Sequence, residues 1–399
     1  MQRASSFTAT TCCRMNKAIY TSDLLQLFIR CVRPAYSPQT ALYMLLYLAI
    51  FILSFTIMTN ILPRSVFNSI RGMPPQGGAR PPAPAKKDAS FSPTPIDIVV
   101  ARIMLTRGVK LPPDVVDMIF DHAEYWAHSS NEFNFKAEIQ DQLRVVGNSP
   151  DNNKLVLRAY PVGLTELTDE DDKELAEVLA WDRNEAKPVP LDKEHEPDYF
   201  KKLLKYPTPK LIRPVRKVVF SIRSADQGWG GERGNRGTYQ GSWTWFEAGL
   251  ERFDADVTCD PQCTYDVRYK SASSKASPLP VCGLRAIHPK LEPVPNQRGK
   301  LQFKHPLSHN PDLEIYRNKT ATREQRDTVV TWSYLDDIRS DSDAAEQIDM
   351  NEGRGRGTLD GSFVRDLKLG DVITIWAKSR FNGWVNHIES AQIDVYWAV

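Results

Sequence analysis

The sequence has no excess of charge of either sign. Its 399 residues include 51 Lys and Arg and 49 Asp and Glu, a formal net charge of +2 at pH 7. Binding of nucleic acid through the field of a whole domain needs a clear basic excess. The two Arg-Gly runs, at residues 232–236 and 352–356, are short and have no basic field around them. We therefore predict no nucleic-acid partner.

Cysteine is also scarce, with six residues in the chain, too few for a disulfide framework in a protein of this length. Cys259 and Cys263, with Cys282 and His288 further on, are of the types that hold tetrahedral zinc, but the second pair is poorly spaced. A proline-rich loop without metal is the simpler interpretation, and zinc stays an alternative.

One acidic loop has the oxygen ligands that calcium prefers, and a solvated loop is the default interpretation. Its carboxylates belong to Asp336, Asp337, Asp341 and Asp343. We predict no cofactor and no metal.

Residues 34–63 contain no charged side chain, and residues 41–62 are almost wholly apolar. A helix needs about 20 such residues to cross the hydrocarbon core of a membrane. The sequence therefore predicts a single-pass membrane protein with the lipid bilayer as a partner through residues 41–62. Two alternatives remain: a buried core helix, or an over-extended gene model in which Met73 is the true start and the protein is cytoplasmic.

Composition and apolar spacing change along the chain and divide it into segments. Residues 73–95 are rich in Pro and Gly and cannot bury enough apolar surface to order themselves. Helical spacing follows, with prolines at a helix start in residues 111–126. We predict an N-terminal tail at 1–40, a transmembrane helix at 41–62, a disordered Pro-rich spacer at 63–95, a helical and mixed region at 96–206, and a β-sandwich domain at 214–399.

From residue 214 onward the apolar period changes from 3.6 to 2, and eight segments have the length of strands with no good helix among them. The predicted fold class is α+β, with a C-terminal antiparallel β-sandwich that is jelly-roll-like. The strands are predicted at 215–224, 242–253, 265–269, 313–317, 328–335, 362–367, 371–377 and 391–399. The interior is predicted to contain Val219, Phe220, Ile222, Trp245, Phe246, Trp332, Ile373, Ile375, Ile393, Val395 and Trp397.

A short motif occurs twice. Residues 232–243 and 352–363 share six of twelve positions at an offset of 120 residues, namely Glu, Arg, Gly, Thr, Gly and Ser. In both copies glycine precedes alternating aromatic and polar residues, which is typical of a turn that feeds a half-buried strand.

Residues 226–241 hold six glycines in sixteen positions. A phosphate-binding loop of this kind is followed by a helix N-terminus, whereas here a strand follows, so a sugar or peptide ligand fits better. The predicted ligand-binding residues are Asp226, Trp229, Arg236 and Tyr239. The alternative is that Trp229 caps the edge of the core and that the charges are solvated.

A second candidate loop, at residues 378–389, contains the turn Asn382-Gly383 and contributes Arg380, Trp384 and Asn386 as further ligand-binding residues. We expect this loop to approach the glycine-rich loop. His387 and Glu389 lie on one face of a strand, and an acid–base role for this pair is an alternative to a packed histidine.

Residues 111–120, Leu-Pro-Pro-Asp-Val-Val-Asp-Met-Ile-Phe, resemble the opening helix of F-box domains. That resemblance implies docking to the linker protein of a ubiquitin ligase. The C-terminal half resembles, in layout and aromatic-rich strands, the galactose-binding-like jelly rolls that follow F-boxes in some glycoprotein-recognising adaptors. Residues 96–399 as a whole look similar to uncharacterised proteins of filamentous fungi, from which no activity follows.

These observations predict a non-enzymatic, membrane-anchored protein that binds a protein or glycan through the end loops of its sandwich. No catalytic residue is predicted. One alternative is a soluble F-box-like ubiquitin-ligase substrate adaptor. A second is a hydrolase that uses His387 with Asp226 or Glu247.

Overall fold

The structure is a computed structural model that describes residues 92–164, 184–203, 212–257, 265–266 and 279–399. The predicted tail at 1–40, the transmembrane helix at 41–62 and most of the spacer at 63–95 lie outside these ranges. Within them, every helix is too short or too polar to cross a bilayer. The described residues belong to one compact unit, Lys87–Val399.

Two helices precede the sheets. Helix α1, Pro95–Ile103, starts with a capping box between Thr94 and Asp97 and continues into a π-helical turn, Met104–Gly108. Helix α2, Pro113–His122, buries Val116 and Phe120, which lie four residues apart on one face. The two helices cover one end of the core.

The first sheet is antiparallel and has five strands. They are β1 Ala127–Asn134, β2 Leu143–Val146, β4 Val215–Ala225, β12 Arg326–Ser333 and β14 Val385–Trp397. The order is β1–β14–β4–β12. Strand β2 pairs with the start of β14, and β1 pairs with the rest of it. A short helix, α3 Phe135–Glu138, connects β1 to β2.

The second sheet is also antiparallel and has five strands. They are β3 Asn153–Arg158, β5 Thr244–Phe253, β8 Leu284–His288, β11 Glu314–Arg317 and β13 Val372–Ser379. The order is β11–β5–β13–β3, and β8 pairs with the end of β5 beyond β11.

Smaller elements lie in the connections. Two short ribbons pair β6 Tyr265–Asp266 with β7 Leu279–Pro280 and β9 Leu291–Pro293 with β10 Leu301–Phe303. The helices are α4 Pro197–Leu203, α5 Asp343–Glu352 and α6 Ser362–Asp366, with 3-10 turns at Arg233–Asn235, Val281–Gly283 and Arg356–Leu359.

The two sheets share one hydrophobic core. Alternate residues of each strand face inward, as Val218, Phe220 and Ile222 do on β4 and as Ile373 and Ile375 do on β13. The predicted α+β class with antiparallel sheets in a sandwich arrangement is therefore present. Of the predicted interior residues, Val219 is half-buried, because its neighbours Val218 and Phe220 occupy the inward positions.

Two local predictions were wrong. Residues 362–367, expected as a strand, begin with helix α6, and helix α5 lies where no helix was expected. Helix α5 is capped by Ser342, whose side chain accepts from the backbone N–H of Ala345, and Ala345 is its one fully buried residue. Without an apolar stripe, the helix left no periodic signal.

The predicted boundary between residues 96–206 and 214–399 does not separate two folds. Strands β1 and β2 belong to the first sheet, and β3 belongs to the second. All three lie within the predicted helical and mixed region, 96–206. Their partners, β13 and β14, are more than 200 residues away, and a local pattern does not report such pairing.

Candidate ligand-binding loops

Two loops meet at one end of the sandwich. The glycine loop, residues 226–241, joins β4 to β5, and the β13–β14 loop, residues 380–384, joins the last two strands. A Cβ placed on Gly383 would lie 2.8 Å from Cη2 of Trp229, and one on Gly231 would lie 4.0 Å from Cη2 of Trp384. Each tryptophan therefore lies against a glycine of the opposite loop.

Gln227 joins the two loops. Its Nε2 donates to the carbonyl oxygen of Trp229 at 2.7 Å, and its Oε1 accepts from the backbone N–H of Val385 at 3.2 Å. The backbone near Trp229 is held in turn by Arg236, whose Nε donates to the carbonyl oxygen of Gly230 at 3.2 Å. One amide side chain thus sets the spacing between the loops.

The predicted aromatic residues differ in exposure. Trp229 is 62% exposed, and Trp384 is half-buried beside it. Tyr239 is half-buried farther along the glycine loop, where its ring lies over Gly353 and Lys319 Nζ is 5.2 Å from the ring centroid. Trp229, Trp384 and the exposed Arg236 form a surface that we call the rim.

Asp226 is buried and is not part of the rim. Its Oδ1 accepts from the N–H of Gln227 at 2.8 Å and its Oδ2 from the N–H of Ala321 at 2.6 Å. Burial raises the pKa of Asp226 to about 6, although these hydrogen bonds oppose the rise. The carboxylate ties the start of the glycine loop to the segment after β11.

Arg380 is buried too, at 3% exposure, and does not reach the rim. Its Nη2 donates to the carbonyl oxygen of Pro306 at 2.7 Å and to Asn153 Oδ1 at 2.9 Å, and its guanidinium stacks over Trp245 at 5.0 Å. These hydrogen bonds join the β13–β14 loop to the start of β3 and to the segment around Pro306. The expectation that Arg380 faces a ligand was wrong, because its side chain is buried against Pro306 and Asn153. Both partners are distant in sequence, so no local pattern could have indicated these contacts.

Asn386 lies in a buried polar cluster beneath the loops. Its Oδ1 accepts from Asn318 Nδ2 at 2.9 Å, and Asn318 Oδ1 accepts from Ser224 Oγ at 2.7 Å. The hydroxyl of Tyr316 lies 2.5 Å from the same Ser224 Oγ. Sequence reasoning missed this cluster, although polar residues at inward-facing strand positions were a signal. Asn318, the acceptor of a glycosylation triplet, is buried in it.

His387 forms no acid–base pair within the described residues. Glu389 instead accepts from Arg223 Nε at 2.7 Å and from Gln142 Nε2 at 2.9 Å. The carboxylate of Glu247 accepts from Trp245 Nε1, and Asp226 is engaged as described above. Burial lowers the pKa of the half-buried His387. Among the described residues, neither Asp226 nor Glu247, the two carboxylates considered for a hydrolase, is hydrogen-bonded to His387.

Among the residues described, no group of three His, Cys, Asp or Glu side chains is placed to hold a metal. Cys282 is exposed, while Cys259 and Cys263 lie outside the described ranges. In the acidic loop, Asp336 accepts from Arg354 Nη2 at 3.1 Å and Asp341 pairs with its neighbour Arg339.

No protein-family model, curated protein or solved structure matches this chain. The resemblances to an F-box helix, to galactose-binding-like jelly rolls and to fungal proteins therefore stay expectations.

Proposed function

We propose that the protein is a non-enzymatic binding protein that recognises a protein or glycan partner at the rim. The observation that carries this proposal is the position of Trp229. Its ring is mostly exposed, yet Gln227 and Gly383 hold its backbone and ring edge in place. A rigid, exposed aromatic side chain supplies contact area at low entropic cost, which is typical of residues that dominate binding.

The strand order supports a jelly roll as the finer fold class. With β1 and β2 counted as one strand position, and β8 and β11 as another, the chain has eight positions. Numbered by position along the chain, the strands of the first sheet then have the order 1-8-3-6, and those of the second sheet have the order 5-4-7-2. Two such sheets form a double Greek key. The end loops of sandwiches commonly carry binding sites, as we propose for the rim.

The membrane anchor at residues 41–62 remains part of the proposal on the sequence alone. It places the binding domain next to a bilayer, after the Pro-rich spacer. Fractionation of the full chain tests it: recovery only in detergent supports the anchor, and a soluble product that begins at Met73 removes it.

The rim is tested by Trp229→Ala, with Leu335→Ala as the matched control because Leu335 is also an exposed apolar residue. Full-length wild type and both variants are compared on a glycan array and, with a photo-crosslinker at the exposed position 233 beside the rim, in capture of proteins from cells. We expect Trp229→Ala to lose at least about tenfold in binding, as a dominant interface residue does, and Leu335→Ala to bind like wild type. Equal binding by all three proteins would refute the rim.

A second candidate, the ubiquitin-ligase adaptor, is favoured by the exposed apolar residues of the two helices. Met118 and Ile119 on α2 are 70% and 40% exposed, and α1 with its π turn exposes Ile96, Val100, Ile103 and Met104. Scattered single residues of this kind are ordinary, whereas a contiguous set marks a docking surface. Pull-down of a ligase linker protein that is lost on Ile119→Asp, but not on Val329→Asp in β12, would favour this function over the first.

A further inference from the structure

Residues 92–399 are acidic overall, yet the segments that border the rim are basic. These residues contain 41 Lys and Arg and 47 Asp and Glu. Two segments border the rim loops: 141–147, which hydrogen-bonds to Trp384 through Gly147, and 319–326, which hydrogen-bonds to the glycine loop. A basic surface on an otherwise acidic domain favours an anionic partner there and repels it elsewhere.

The two rim loops and these two segments carry more basic than acidic side chains. Six basic side chains are exposed or half-buried: Arg144, Arg233, Arg236, Lys319, Arg323 and Arg326. Three carboxylates are exposed: Asp141, Glu232 and Glu324. Buried Arg380 and Asp226 add one charge of each sign, and burial lowers the pKa of the nearby His387, which favours its neutral form. The excess is therefore three positive charges.

Two of these arginines flank Trp229. Arg236 donates through Nε to the carbonyl oxygen of Gly230 at 3.2 Å. On the other side, a Cβ built on Gly228 would lie 2.6 Å from the Cβ of Arg323. Both arginine side chains are exposed, and neither has a carboxylate partner among the described residues. Their Nη groups are therefore open to a ligand that lies on the indole ring.

An exposed aromatic ring between two open guanidinium groups suits a sugar ring that carries a carboxylate. The aliphatic C–H face of a pyranose packs flat on an aromatic ring. A planar carboxylate accepts two parallel hydrogen bonds from a guanidinium. Nucleic acid needs a broader basic field than three charges, and the side chains that dominate protein interfaces fill pockets rather than open surfaces. A glycan of uronic acids supplies both a ring and a carboxylate at every residue.

We propose that the rim binds a uronic-acid glycan, whose sugar ring packs on Trp229 and whose carboxylates accept hydrogen bonds from Arg236 and Arg323. The assignment rests on the proposed function, whose partner it narrows to one chemical class. Glu232, an exposed carboxylate of the same loop, opposes this binding because it carries the same sign of charge as the glycan.

The experiment compares tetragalacturonate with its fully methyl-esterified form, which has the same sugar rings but no charge. The affinity of the full-length chain for each probe is measured by isothermal titration calorimetry. We expect wild type to bind tetragalacturonate at least about tenfold more tightly than the ester, as charged hydrogen bonds to a carboxylate imply. Trp229→Ala should weaken the binding of both probes, because both pack a ring on the indole.

Charge variants locate the carboxylate contacts. Arg236→Gln and Arg323→Gln should each lose about tenfold in affinity for tetragalacturonate and keep that for the ester. Glu232→Gln should bind tetragalacturonate about two- to threefold more tightly, since a like charge is removed. Arg298→Gln is the matched control and should bind like wild type, because Arg298 is exposed in the turn between β9 and β10.

The outcomes separate this assignment from the rim itself. Equal affinity for the two probes, with both weakened by Trp229→Ala, would overturn the acidic ligand and leave the rim in place. Absence of tetragalacturonate binding to wild type also overturns it, and the rim fails as well only if Trp229→Ala leaves every array and capture signal unchanged. Equally tight binding of an oligoglutamate or an oligothymidylate of the same charge would show that charge alone is recognised, and would refute a glycan ligand.

Discussion

The ring of Trp229 lies over Gly383, so close that any side chain at position 383 would meet it. A Cβ there would come within 2.8 Å of Cη2, and Gly383 has φ 89°, a backbone conformation that side chains rarely adopt. Gly383 thus allows an exposed tryptophan of one loop to rest on the backbone of the other.

Gly383→Ala should therefore lower the free energy of unfolding and also move Trp229. Gly237→Ala is the matched control, since Gly237 has φ 78° but open space around its Cα. Left-handed strain costs both variants about 1–2 kcal/mol, measured by urea denaturation. Only Gly383→Ala should shift the ¹⁹F NMR resonance of 5-fluorotryptophan at position 229, assigned by its loss in Trp229→Phe. The same spectrum for both variants would contradict the contact.

Asp226 should make stability fall as the pH rises. Its pKa in the folded protein, about 6, lies above the ordinary value of 3.8, so folding favours the protonated form. The contribution is fully present below about pH 4 and is lost as the pH rises through 6. Two pKa units correspond to roughly 3 kcal/mol. Urea denaturation from pH 4 to 7.5 should show that the free energy of unfolding falls with pH in wild type and not in Asp226→Asn. The same fall in Asp226→Asn would show that other groups cause the pH dependence.

Lys378 and Glu247 form a buried ion pair on the outer face of the second sheet. Their Nζ and Oε2 atoms are 2.5 Å apart, and burial lowers the pKa of Lys378 although Glu247 opposes this. Lys378→Met leaves the carboxylate with Trp245 Nε1 as its remaining partner and should cost about 3–5 kcal/mol. The double variant Lys378→Met/Glu247→Gln should recover most of that loss in thermal and urea melts. A double variant as unstable as the single one would show that the charge is not the cause.

Gly249 faces Thr374 across strands β5 and β13. A Cβ at 249 would lie 2.2 Å from Thr374 Oγ1 and 2.8 Å from the carbonyl oxygen of His288, so Gly249→Ala should destabilise by about 1–3 kcal/mol. Gly234→Ala, where a Cβ meets nothing within 4 Å, serves as the control and should melt like wild type. Equal melting temperatures for the two variants would argue against this strand register.

The sequence predicted strands such as β4 and β13 because their apolar residues alternate and half of each strand faces one core. It did not predict α5, which lacks an apolar face, or the place of β1–β3 in the sheets, which depends on pairing with β13 and β14. Among the site residues, Trp229 and Trp384 lie together because each packs against a glycine of the opposite loop. Arg380 and Asp226 are held by Pro306 and Ala321, contacts that no local pattern reports.

The positions of β13 and β14 have a consequence for synthesis. Each occupies an inner place in its sheet, although both follow all the other described strands along the chain. On the ribosome, β1, β3 and β4 emerge long before β13 and β14, with which they pair, so neither sheet can close until those two strands have emerged. Contacts this distant in sequence make folding slow and leave unpaired edges exposed meanwhile. Unpaired strand edges therefore persist on the nascent chain until β13 and β14 pair.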